Sequence, residues 1–317
     1  EIKVVMEERR WRTDDRPQSV LYERLMATAL TAHPHRNPVI GWMSDLENLT
    51  VEDTRAFYDQ WYAPNNAIVV VVGDVVPAEV FALAERHFGG IARKTLPPRK
   101  PQDEPPQLGI KRLTVKVPAE QPQVLMAYRV PRMRDPDADW ENYALDMLQG
   151  VLSGNDAARL PQTLVKTERL AVSAGASYDG IGRGPGFFYL SGTPVSGRSA
   201  EDVEQGLRRE IRRIVDEGVT AEELERVKAQ VIAAQVYQRD SMFFQARMIG
   251  WLETVGLPHR VLDLFVEKLQ NVTSDQVREV ARKYLVDDRL TVAYLDPQPL
   301  ESGARKSAPP AGVRHGN

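Results

Sequence analysis

Two stretches of this chain repeat one another, and a duplication limits the possible folds more than any local pattern does. Leu46-Glu-Asn-Leu-Thr50 precedes a helical pattern with Arg55, then Trp61-Tyr62, then an apolar run from Ala67 to Gly73 that ends at Asp74. Leu269-Gln-Asn-Val-Thr273 precedes a helical pattern with Arg278, then Tyr284, then a run from Arg289 to Leu295 that ends at Asp296. Thr50 and Thr273 are 223 residues apart, as are Arg55 and Arg278, while Asp74 and Asp296 are 222 apart. A capping threonine, an arginine, an aromatic residue and an aspartate all keep register. A recurring Thr-capped helix and strand would not require that.

The chain has 317 residues, room for two domains of ordinary size. Between the copies lies Leu96 to Gln107, with five prolines in twelve residues, which reads as an extended linker. The expected division is 1–95 for the first copy, 96–107 for the linker, 108–297 for the second copy and 298–317 for a disordered tail. The tail is rich in Pro, Gly, Ser, Ala and Arg and has no periodicity. A first copy as long as the second would begin roughly a hundred residues before Glu1. The first copy is therefore expected to lack its front half. Glu1 stands where a methionine would, with no basic and apolar leader behind it, which fits a processed or shortened chain.

Within the second copy, strands are expected at Ile110 to Val117, Val124 to Val130, Val172 to Tyr178 and Gly186 to Thr193. The glycine-rich Asp179 to Gly186 reads as a hairpin connection, because Gly182, Gly184 and Gly186 lack the strand-to-helix setting of a phosphate loop. Helices are expected at Asp139 to Leu152, Asp156 to Leu170 (started or kinked by Pro161), Ala200 to Glu217, Glu223 to Gln238, Met242 to Thr254, Arg260 to Leu269 and Ser274 to Tyr284. Gly218 reads as a C-cap, and Thr220-Ala-Glu-Glu223 as a capping box. Strands and helices in this order predict an α+β fold, a duplicated sandwich of a mostly antiparallel sheet with helices on one face.

Composition narrows the function. Lysine and arginine number 41 against 44 acidic residues, a net charge of -3, so the electrostatic footprint of a nucleic-acid-binding protein is missing. The longest apolar run, Ala67 to Val72, is far short of the roughly 20 residues that span a bilayer as a helix. With no cysteine, disulfides, thiolate metal sites and a cysteine nucleophile are excluded, and either a cytoplasmic or an exported location is compatible.

The chain has five histidines, and no two are spaced i, i+4 to share a helix face for zinc. His33 and His35 lie in a loop bounded by Pro34 and Pro38 and read as surface structure. The opening carboxylates carry more. If Glu1 to Arg12 is helical, Glu1 and Glu8 lie about 20° apart on the face that also carries Val4 and Val5, while Glu7 points away. Two readings stand: a partly buried carboxylate pair that needs a cation, or a charged helix end in water.

The run Glu1-x-x-Val-Val-x-Glu-Glu8, with His33-Pro34, Pro38-Val-Ile-Gly41, Leu49-Thr50, Phe57-Tyr58, Tyr62-Ala-Pro-Asn-Asn66 and Val70-Val-Val-Gly73-Asp74, resembles the pitrilysin-like zinc peptidases. That family includes the insulin-degrading enzyme and the mitochondrial processing peptidase. The resemblance covers nearly all of residues 1 to 296 and is most specific over 1 to 75. It implies a zinc site built on an inverted H-x-x-E-H helix, with a glutamate seventy to eighty residues later as the third protein ligand. Glu8 matches that metal ligand, and Glu1 matches the carboxylate one heptad earlier that supports the site. None of the H-x-x-E-H residues is in this sequence, so the chain alone is expected to be inactive and zinc-free. The counterpart of Glu8 in the second copy falls near Ile232, and Trp140 to Leu152 has no histidine, so the second copy is expected to be non-catalytic.

Family members that close a chamber with an opposite half use a segment of the type L-R-x-x-x-x-L-x-Y, whose arginine and tyrosine bind substrate. Leu164-Val165-Lys-Thr-Glu-Arg-Leu170-Ala-Val172 puts valines at both positions. Arg159 and Arg169 fall at the wrong offsets and are expected on a helix surface. The resemblance therefore implies the zinc-bearing subunit of a heterodimeric metalloendopeptidase, acting on peptides with a homologous subunit that carries the Arg/Tyr pair and with the missing N-terminal segment restored. It implies export to a bacterial periplasm, with the cytoplasm as the alternative. The competing reading is a structural or regulatory homologue of the processing-peptidase type.

Overall fold

The computed structural model describes residues 1–300. The expected tail, 298–317, falls almost wholly outside the described residues. The second copy supplies a five-stranded sheet from β1 (Lys111–Pro118), β2 (Gln123–Val130), β3 (Ala171–Tyr178), β4 (Gly186–Pro194) and β5 (Leu290–Gln298), in the order β1-β5-β2-β4-β3. Only β1 and β5 run parallel, so the sheet is mostly antiparallel as expected. Alternation along β2 and β4 splits their side chains between two apolar layers. Met126, Tyr128, Phe188 and Leu190 join the larger core, and Ala127 and Phe187 the smaller.

Over the larger core lie α6 (Trp140–Ser153), α7 (Ala200–Glu217) and α11 (Ser274–Tyr284), each with buried apolar residues at helical spacing. The other face is not bare, contrary to the one-sided expectation. It is covered by α2 (Pro17–Ala29), which belongs to the first copy and packs Leu21, Leu25 and Ala29 on Ala127, Phe187, Ala293 and Leu295. A sheet with apolar side chains on both faces needs a second cover. Here the other copy provides it.

The first copy also contains α1 (Ile2–Arg9), α3 (Met43–Asn48), α4 (Val51–Trp61) and α5 (Pro77–Phe88). Capping boxes open α4 and α11 alike, through Thr50 with Asp53 and Thr273 with Gln276, which restates the duplication in hydrogen bonds. Contrary to expectation, Ala67 to Gly73 forms no strand and joins no sheet. Its β-branched side chains stay largely exposed, because no neighbouring strand among the described residues offers a ladder. It runs instead beside α9 (Met242–Val255), where a Cβ on Gly250 would lie 3.6 Å from Val70. In the second copy the equivalent β5 lies against α2, so each copy sets a helix against the other copy's last extended segment.

Three more local expectations change. The helix from Asp156 to Leu170 is a π-helical turn over Pro161–Thr167, consistent with the proline at its start. Thr220 caps α8 (Ala221–Gln238), but Glu223 does not close the box, since its carboxylate accepts two hydrogen bonds from Arg159, at 2.9 and 2.7 Å. Arg159 is thus largely buried in an ion pair and not on the surface, while Arg169 is exposed as expected but lies past the π turn, at φ 50°. Among the described residues no helix is long and apolar enough to cross a membrane.

Candidate functional site

The helix that carries Glu8 is held by its neighbour. Arg9 is buried and donates through Nη1 to Glu23 Oε2 at 2.9 Å and to the Gly41 carbonyl at 2.8 Å, and through Nη2 to Glu23 Oε1 at 3.2 Å. Those hydrogen bonds hold the Arg9 guanidinium above its ordinary pKa, against the opposing effect of burial. Glu23 is on α2, so this buried bidentate pair ties α1 to the helix covering the second copy's sheet. Gly41, at φ 86°, takes the left-handed turn that presents its carbonyl to Arg9. Trp42 completes the clamp, with the guanidinium of Arg9 5.8 Å and that of Arg24 5.5 Å from its ring centre.

Immediately after α1 the helix widens into a π turn over Arg10–Asp14, where Asp15 N–H reaches back to the Arg10 carbonyl at 2.8 Å. Such turns change the facing of the residues beside them. Glu8 lies just before it, partly exposed, and accepts from Arg12 at 2.9 Å. Glu7 is more exposed and pairs with Arg10. Glu1 is the exposed N-cap residue of α1.

Glu8 and Arg12 stand at the edge of a cavity of about 1220 Å³ between the two copies. Its walls include Tyr22 of α2, Tyr189 of β4, Trp251 of α9 and the loop holding His35. The Tyr22 and Tyr189 hydroxyls approach to 3.4 Å. The glycine-rich segment is the expected β3–β4 hairpin, and it abuts that loop: at Gly184, φ 74°, a Cβ would lie 2.5 Å from the His33 ring. His33 accepts on Nδ1 from the His35 N–H at 3.2 Å, and burial pushes both imidazoles below the usual histidine range. His35 is a neutral part of the wall and His33 packs beside it, away from any cluster of ligands.

Glu104 of the linker also fixes this loop, accepting from the consecutive N–H groups of Thr31, Ala32 and His33 at 2.6, 2.9 and 2.8 Å. Burial disfavours its charge, but the three donors outweigh that and leave its carboxyl below the ordinary range. Sequence reasoning missed Glu104, Arg9 and Glu23. On α2, Glu23 faces away from Leu21 and Leu25, which pack on the sheet, so its burial against Arg9 left no signal.

Among the described residues no three His, Cys, Asp or Glu side chains are grouped to hold a metal ion. A single carboxylate already paired with Arg12 does not make a zinc site, since tight binding needs a complete ligand set. In the second copy, Ile232, near the expected counterpart of Glu8, is half-buried on α8, and α6 offers no histidine. Val165 is half-buried in the second π turn, and Val172 is exposed on the edge strand β3.

Residues 48–231 match the family model described as the peptidase M16 inactive domain. The chain is 30% identical over 300 residues to the zinc protease PqqE of Helicobacter pylori, covering 94% of this chain and 66% of that protein. It is 30% identical to an uncharacterized zinc protease of Mycobacterium leprae, covering 93% of this chain and 65% of the other. The chain thus spans just under two thirds of the length of these relatives. A crystal structure of a protease from Helicobacter pylori superposes with a TM-score of 0.86 at 28% identity, over 93% of this chain and 71% of that one.

Proposed function

For a chain that belongs to the peptidase M16 family, as this one does, we propose the role of the C-terminal portion of a zinc metalloendopeptidase. In the whole protein Glu8 would give one carboxylate to the zinc ion, and Glu1 would support the site without touching the metal. The observation that carries this reading is the positioning of Glu8. A buried Arg9–Glu23 pair and a π turn hold it beside a cavity large enough for a peptide segment. A helix end with no task beyond solubility would not need a buried ion pair, whose desolvation costs several kcal/mol per ion. The relatives named zinc proteases support the same reading. The second copy, with Ile232 and no histidine on α6, is a non-catalytic duplicate that covers and completes the first.

We further propose that the active assembly includes a homologous subunit, with the peptide enclosed between the two in a periplasmic enzyme. Val165 and Val172 cannot donate hydrogen bonds to a substrate, and an oxyanion-type donor is worth roughly 10²- to 10³-fold in rate. An arginine and a tyrosine on the partner would fill that role. The test assays the full-length protein for peptide hydrolysis alone and with a co-expressed homologue, then substitutes that arginine and tyrosine. Activity is expected only with the homologue and should fall by at least about 10²-fold in its variants. Full activity of the purified protein alone would overturn the heterodimer, and no chelator-sensitive activity in either arm would favour the regulatory homologue.

A further inference from the structure

Away from Glu8, a second cavity of about 490 Å³ opens between α6, the β3–β4 hairpin, α9 and α10 (Val261–Gln270). Its volume falls within the usual range of small-ligand sites. Asp146 of α6 lines it, half-buried, with no hydrogen-bond or ion-pair partner. Beside it, Asn142 Nδ2 donates to Tyr178 Oη at 2.7 Å, and Tyr178 Oη donates to the Pro131 carbonyl at 2.8 Å. Neither bond engages the carboxylate. The remaining walls include the rings of Tyr178, Trp251 and Phe265.

A cavity with a carboxylate in its wall is not a dry void, because cavities that stay empty are apolar. An anion would meet Asp146 and Asp179. A metal ion would find too few ligands, since no group of three His, Cys, Asp or Glu exists among the described residues. An organic cation satisfies both features at once, pairing with the carboxylate and lying against aromatic faces. We propose that this cavity binds a compact organic cation, an alkylammonium or alkylguanidinium group, with Asp146 as its counter-ion and Trp251 and Phe265 as its walls. This assignment does not rest on the metal-ligand reading of Glu8.

Burial alone pushes the Asp146 carboxyl up to about 7. The charged and titratable groups around it do not offset that. Arg247 of α9 is exposed at the cavity wall, Asp179 of the hairpin is paired with Arg132, and the hydroxyls of Tyr143 and Tyr178 are committed to carbonyls. Phe265, from α10, carries no charge. Cation binding should therefore follow Asp146 ionisation, which is mostly complete at pH 8 and mostly absent at pH 6.

Agmatine is a suitable probe, since both its charged groups stay protonated across that range. Calorimetric titration of the protein should give saturable binding at pH 8 and about tenfold weaker binding at pH 6. Asp146→Asn should abolish binding. It should also raise the melting temperature at pH 8, where the wild-type carboxylate is held ionised against burial. Arg247→Ala, at an exposed position, should tighten binding by removing a competing cation. Equal affinity at pH 6 and pH 8, undiminished binding by Asp146→Asn, or no saturable binding at pH 8 would each overturn the proposal.

Discussion

The helices α4 and α11, at equivalent places in the two copies, are each eleven residues long and have quite different surroundings. Residue 57 on α4 and residue 280 on α11 occupy the same register position, yet Phe57 is 59% exposed and Val280 is 0% exposed. Both helices start from Thr-centred capping boxes, so local sequence is sufficient for the helix. It is not sufficient for the strand. Leu290–Gln298 pairs with β1 and β2, while the equivalent 67–73 stays extended and unpaired. A helix satisfies its backbone within itself, whereas a strand needs a neighbour.

The largest effect is expected within the first copy, at the pair that ties α1 to the helix covering the second copy's sheet. Glu23→Ala leaves the buried Arg9 only the Gly41 carbonyl and the longer contact with Asp14 at 3.4 Å, and removing one partner of a buried pair typically costs about 3–5 kcal/mol. Urea unfolding should register that loss, together with release of α2 from the sheet. Should Glu23→Ala unfold like the wild type, α1 and α2 are not anchored in this way.

The next effect concerns acid. Glu204 of α7 is buried and accepts from Arg112 at 2.8 Å, from Arg208 at 2.7 Å and from Tyr294. Burial works against its charge, but these donors prevail and bring its pKa down from 4.5 to about 2. A carboxyl depressed on folding stabilises the fold above its unfolded pKa, and that contribution disappears as pH falls from about 4.5 toward 2. Its size is at most about 3 kcal/mol. Wild-type stability should drop more steeply across this window than that of Glu204→Gln, which loses the titrating group.

Matched substitutions sharpen the contrast at lower cost. Val280→Ala should lose about 2 kcal/mol, through two buried methyl groups and the space they leave. Phe57→Ala should stay within about 0.5 kcal/mol. Equal losses at both positions would show that α4 is packed as α11 is. The caps should behave alike instead: Thr50→Ala and Thr273→Ala should each cost their helix about 1 kcal/mol, read by hydrogen exchange in the first turn.

Much of this was legible in the sequence. Repeated Thr, Arg, aromatic and Asp positions gave the duplication, and alternating apolar residues gave all five strands of the second copy. Contacts between residues distant in sequence were not legible. The exposed state of 67–73, the cover of α2 over the sheet, and the pairing of Arg159 with Glu223 all depend on residues distant in sequence. At the site, helical spacing and family resemblance singled out Glu1 and Glu8, but Arg9 and Glu23 looked like ordinary surface charges. A charge is recognised as buried only once its partner is placed.

If the copies differ in chemistry as proposed, Glu8 holds metal in the first copy while its counterpart near Ile232 in the second is inert. Zinc per chain, measured on the full-length protein by inductively coupled plasma mass spectrometry, tests it most directly. Near-complete loss of zinc is expected in Glu8→Gln, with little change in Glu7→Gln and a smaller loss in Glu1→Gln than in Glu8→Gln. Zinc retained by Glu8→Gln and lost from Glu7→Gln would contradict it.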